Sequence, residues 1–84
     1  MVAFTYGPHA ADMLMERNLD PFWVEQAVLA PDSVEPDPKH AARIRAFRAI
    51  PERDGRVLRV VYEQTGETVR IITVFLDRGR RRRG

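Results

Sequence analysis

The chain has 84 residues, no cysteine, 44% hydrophobic residues and a formal charge of +2, which describes one small domain without a disulfide staple or thiolate chemistry. A chain of this size buries only roughly 60–65% of its unfolded surface, so a small core or a partner must hold it together. No apolar run approaches the roughly 18 residues of a membrane span, and no basic stretch followed by an apolar one opens the chain, so a soluble, cytoplasmic protein is expected.

Along the chain, Val2-Ala3-Phe4-Thr5-Tyr6 alternates and reads as a short strand. Gly7 and Pro8 open a helix, with proline at the first helical position, where its missing N–H costs nothing. Ala10, Met13, Leu14 and Arg17 form one stripe of that helix, and Asp12 and Glu16 form a solvated opposite face. Asn18 suits the left-handed conformation that ends a helix. Asp20-Pro21 restarts one as N-cap and first-turn proline, and Phe22 to Leu29 continues it until Pro31. Val24, Ala27 and Val28 give its apolar stripe, with Phe22 and Trp23 at its mouth; Trp23 reads as core or interface.

Asp32 to Lys39 is an acidic, proline-bearing loop with an extended piece at Ser33-Val34-Glu35, and His40 beside it reads as exposed. The period then changes to two. Strands are expected at Arg43–Ile50, Arg56–Glu63 and Thr68–Leu76, separated by turns at Pro51–Gly55 and Gln64–Glu67. The order β-α-α-β-β-β predicts an α+β fold, with two N-terminal helices on one face of a three- to four-stranded, mostly antiparallel sheet. Residues 1–77 form the expected single domain and 78–84 a basic, flexible tail.

The net charge conceals a split. Before position 43, seven acids face Arg17 and Lys39, a balance of −5; from Arg43 on, twelve arginines face five acids, a balance of +7. Such asymmetry points to an anionic partner, with nucleic acid leading. A hairpin centred on Thr65-Gly66 sets Tyr62 beside Val69, Val60 beside Ile71 and Leu58 beside Thr73. With Phe75 these form the helix-facing side, where Thr73 reads as a satisfied core hydroxyl. A four-residue turn at Glu52–Gly55 sets Phe47 beside Val60 on the same side. Arg48, Arg59 and Arg70 then cluster on the open face, and a turn one residue longer moves Arg48 across. These arginines either bind an anion or are merely solvated, with local ion pairs worth under about 1 kcal/mol each.

Thr5-Tyr6-Gly7-Pro8-His9-Ala10, leading into Glu16-Arg17-Asn18-Leu19, resembles the start of a small bacterial family, domain of unknown function 4258. Strands like Leu58-Arg59-Val60-Val61 and Ile71-Ile72-Thr73-Val74-Phe75 and a basic end follow in that family's order. Met13 stands where the family often has arginine, and Asn18 where it has glycine. The family is similar to RelE-like and barnase-like small toxins, which carry helices on one side of a curved antiparallel sheet. The resemblance implies a metal-independent endoribonuclease, acting on free or ribosome-bound RNA, with a cognate antitoxin as partner.

Cleaving RNA without a metal needs a base for the 2′-hydroxyl, an acid for the leaving oxygen and cations for the pentacoordinate phosphate. His9 suits a proton role, against the plainer reading of a structural residue in a helix's first turn. Glu63 is the candidate base, and Tyr62 or Thr73 can donate a hydrogen bond. Arg59 and Arg70, with Arg48, are the candidate phosphate ligands. Arg80, Arg81, Arg82 and Arg83 add a general grip on RNA that weakens with salt. The two histidines are too far apart in sequence for a metal site, and no glycine-rich phosphate loop appears, so no cofactor is expected. Two other readings stay open. One is a non-catalytic module binding nucleic acid or an acidic protein through this face and tail; the other is a homodimer.

Overall fold

The structure is a computed structural model that describes residues 2–81, with side chains through Asp77. Its elements are β1 (Ala3–Tyr6), α1 (Pro8–Glu16), α2 (Pro21–Leu29), β2 (Ser33–Pro36), β3 (Arg43–Ile50), a 3-10 turn (Pro51–Arg53), β4 (Arg56–Thr65) and β5 (Thr68–Arg81). The five strands form one sheet in the order β1-β5-β4-β3-β2. β1 runs parallel to β5, and the other pairs are antiparallel. The sheet thus has one strand more than the upper expected count, because the extended piece at Ser33 pairs with β3.

Local chemistry sets both helices. Pro8 follows an extended Gly7. Pro21 follows Asp20, whose Oδ1 accepts from the Phe22 N–H at 2.9 Å. Asn18 ends α1 at φ 53°. The Arg53 Nη2 donates to the carbonyls of Arg17 (3.0 Å) and Asn18 (2.7 Å), while its guanidinium lies 5.6 Å from the Trp23 ring centre. One arginine thus satisfies carbonyls at the end of α1 and ties the β3–β4 turn to the joint between the helices.

Ala10, Leu19, Val24 and Ala27 pack against Ala46, Ile50, Leu58, Val60, Tyr62, Val69, Ile71 and Val74. The helix-facing side therefore holds most of the expected residues, with three corrections. First, the β3–β4 loop spans five residues, 51–55. Asp54 and Gly55 take φ 60° and 74°, and the Gly55 N–H closes on the Ile50 carbonyl at 3.0 Å. Phe47 therefore pairs with Arg59, and Arg48 with Leu58. One extra residue flips every side chain of β3, so Arg48 leaves the expected cluster and joins the helix side.

Second, the β4–β5 loop is Gly66-Glu67, with Gly66 at φ 59°. Tyr62 pairs with Ile71 instead of Val69, a shift of two that preserves the faces. Third, the register slips between Val61 and Tyr62, where Val61 pairs with Thr73 and Ile72 becomes the extra residue of a bulge. Beyond it Val74 and Leu76 turn to the helices, while Thr73 and Phe75, both expected in the core, turn away. β5 also runs past Leu76 to Arg81, which pairs with Arg56. The backbone of residues 78–81, expected in a flexible tail, is thus strand.

The face away from the helices is open only in part. Phe47, Ala49 and Val57 form a second buried cluster there, with Phe47 only 2% exposed.

Candidate active site

β1 ends where the Gly7 N–H donates to the Ile71 carbonyl at 3.0 Å. The chain then turns into α1, so Pro8 and His9 stand at the rim of the sheet. Arg43 pairs with Glu63, Glu63 with Arg70 and Arg70 with Thr5, in one row across four strands on the face away from the helices. Gly7, Pro8, His9, Arg43, Glu63, Arg70 and Ile72 line a solvent-open cleft of about 380 Å³. The bulge at Ile72 helps make it, because the extra residue is aimed at the cleft.

Glu63 thus lies between two arginines on adjacent strands. The Arg43 Nε is 3.5 Å from the Glu63 Oε1, an ion-pair distance without hydrogen-bond geometry. Arg70 is exposed and has no hydrogen bond or ion pair among the described residues. Its head lies against the mouth of α1, since a Cβ on Gly7 would stand 3.9 Å from the Arg70 Nη2 and 3.4 Å from the Ile71 carbonyl. α1 has no side-chain cap, so its first N–H groups and their partial positive charge add to a cationic pocket. A carboxylate, an imidazole and two guanidiniums around one opening can move a proton each way and hold an anion.

Three of the four residues expected to be catalytic, His9, Glu63 and Arg70, therefore meet. Arg59 does not line the cleft; its guanidinium stacks 4.7 Å from the ring centre of Phe75 further along β4. Arg48 lies on the helix side, donating to the Ala30 carbonyl and lining a separate groove of about 200 Å³ with Phe22 and Trp23. Arg80 and Arg81 fall on β5, but their side chains, like all of Arg82 and Arg83, lie outside the described residues. Tyr62 is buried on the helix side, and burial raises its phenol pKa; Tyr6 is raised by burial, with Glu25 adding to it.

Sequence reasoning missed Arg43 in the site. Its signal was register: a five-residue turn puts Arg43 opposite Glu63. Arg45, two residues on, is already occupied, at 3.6 Å from Asp37 and 3.7 Å from Glu35. The Lys39 N–H holds the Asp37 carboxyl below its usual range, with the His40 N–H and Arg45 adding. Among the described residues, no group of three or more His, Cys, Asp or Glu side chains is placed to hold a metal.

A family model described as domain of unknown function (DUF4258) matches residues 6–76. No curated protein and no solved structure matches the chain.

Proposed function

The chain belongs to the DUF4258 family, and we propose that it is a metal-independent RNA endonuclease, a RelE-like toxin working in the cytoplasm. The observation that carries this reading is the meeting of His9, Arg43, Glu63 and Arg70 around one cleft. Glu63 takes the proton of a ribose 2′-hydroxyl, and the freed oxygen attacks the adjacent phosphorus. Arg70 and Arg43 hold the equatorial oxygens as charge builds. His9 gives its proton to the departing 5′-oxygen. The products are a 2′,3′-cyclic phosphate and a 5′-hydroxyl. A cognate antitoxin would act by covering the same cationic opening. No helix among the described residues is long and apolar enough to cross a membrane.

Expression in a host cell with primer extension on total RNA tests this. The wild type should create new RNA 5′ ends and slow growth. His9→Ala, Glu63→Gln and Arg70→Ala should each cut activity by about 10²–10⁴-fold, while Arg48→Ala, on the other face, should behave as the wild type. Absence of new ends, or equal activity of all variants, contradicts the reading. The alternative is a binding module for nucleic acid or an acidic protein, favoured by the Arg43–Glu63 ion pair, which already occupies the base. Retention of RNA without new ends is its result.

A further inference from the structure

Among the described side chains, four arginines project from the sheet face that bears the cleft, and their partners differ. Arg43 has Glu63, and Arg45 has Glu35 and Asp37. Arg70, at the cleft, is unpaired among the described residues. Arg59 is half-buried, lies over Phe75 at 4.7 Å and has no hydrogen bond or ion pair among the described residues. Its Nε is buried without a hydrogen-bond partner. The buried Nε atoms of Arg43 and Arg45 also lack hydrogen bonds, but each is within 3.6 Å of a carboxylate oxygen. Arg59 has neither compensation. A cation kept without a carboxylate partner, with its Nε desolvated, costs free energy and calls for an explanation, and a bound anion supplies one.

From this we infer that Arg59 and Phe75 form a second contact site for the RNA strand, separate from the cleft and engaging the chain beyond the cleaved linkage. The inference rests on the RNA reading above and deepens it. Arg59 and Glu63 lie four residues apart on β4, about 13 Å at the usual strand rise. Arg59, stacked on Phe75, does not line the cleft, so at that spacing it meets a different phosphate from the one held by Arg70. Stacking on Phe75 uses the flat face of the guanidinium and fixes its plane. The two terminal Nη groups, which have no hydrogen bond or ion pair among the described residues, are left to grip a phosphate in two-point fashion. Arg59 pairs across the strands with Phe75 on β5 and with buried Phe47 on β3, so the sheet itself sets its position. Cationic side chains interleaved with aromatic ones are what single-stranded RNA recognition uses.

Binding of uncleavable 2′-O-methyl oligoribonucleotides of two, four and eight nucleotides, followed by fluorescence anisotropy, tests the inference without requiring catalysis. The wild type should bind the longer strands more tightly than the dinucleotide. Arg59→Ala should remove that gain, weakening the octamer about tenfold and leaving the dinucleotide unchanged. It should also lower the salt dependence of octamer binding by about one phosphate contact. Arg59→Lys should keep the salt dependence and lose part of the affinity, since lysine lacks the stacked fork. Arg70→Ala should weaken every length alike. Thermal melting of each variant reports folding, and Arg59→Gln replaces Arg59→Ala if the latter does not fold. Equal weakening of all lengths by Arg59→Ala, wild-type binding by that variant, or no oligonucleotide binding by the wild type each overturns the inference. Length-dependent binding through Arg59 with no cleavage of natural RNA would sink the nuclease reading and leave the second site standing.

Discussion

Asn18 shows how one backbone angle decides an element's end. It sits at φ 53°, so a side chain with a Cβ is strained there unless, like asparagine, it tolerates the left-handed region. Asn18→Gly should leave stability unchanged or raise it slightly, whereas Asn18→Ala should cost about 1 kcal/mol by urea denaturation. The tyrosines give a second residue-scale expectation. Burial raises both phenols, with Glu25 adding to the effect on Tyr6. The folded form therefore holds these protons where the unfolded chain releases them. Their contribution to stability is full below about pH 10 and is lost as pH rises from there through the folded pKa values. Denaturation midpoints should fall from about pH 10 upward, and a Tyr6→Phe, Tyr62→Phe double variant should flatten that fall. At neutral pH Tyr6→Phe should cost little, because the Tyr6 hydroxyl is buried without a hydrogen-bond partner.

At the scale of elements, what could be read from sequence depended on parity and loop length. Pro8, Asn18 and Asp20-Pro21 marked the helix ends, because proline and capping chemistry are local. The helix-facing residues of β4 were legible because alternation is local too. The pairings were not legible, because they depend on loop conformation. Centring the β4–β5 loop one residue early did no harm, since it shifts the partners by two and an even shift keeps faces. One residue at Pro51–Gly55 moved Arg48 to the other side, and one bulge at Ile72 moved Thr73 and Phe75. The same logic ranks substitutions. Leu58, fully buried at the centre of β4, should cost about 2–5 kcal/mol as Leu58→Ala. Val34, on the edge strand and 54% exposed, should cost far less as Val34→Ala. Denaturant titration compares the two, and equal losses would mean that the helix side is not the main core.

For the whole molecule, the division between an acidic first half and a basic second half becomes partly an internal match. Arg45 of β3 meets Glu35 and Asp37 of the preceding strand and loop, and Arg53 meets the end of α1. Among the described residues, what is left over on the face away from the helices is small and specific. Arg70 lines a cleft with His9, Arg43 and Glu63 and has no ion pair among the described residues, and Arg59 is stacked on Phe75. The candidate site was thus half legible in the sequence. Residue types nominated His9, Glu63 and Arg70, but only the observed register could add Arg43, remove Arg48 and set Arg59 apart.

End-group analysis of RNA treated with purified protein in a metal chelator separates cleavage at the cleft from binding alone. The wild type should leave 2′,3′-cyclic phosphate ends. Glu63→Gln and His9→Ala should each lower their yield by about 10²–10⁴-fold with unchanged melting temperatures. Intact RNA, ends of another chemistry, or undiminished cleavage by both variants would contradict cleavage at this cleft.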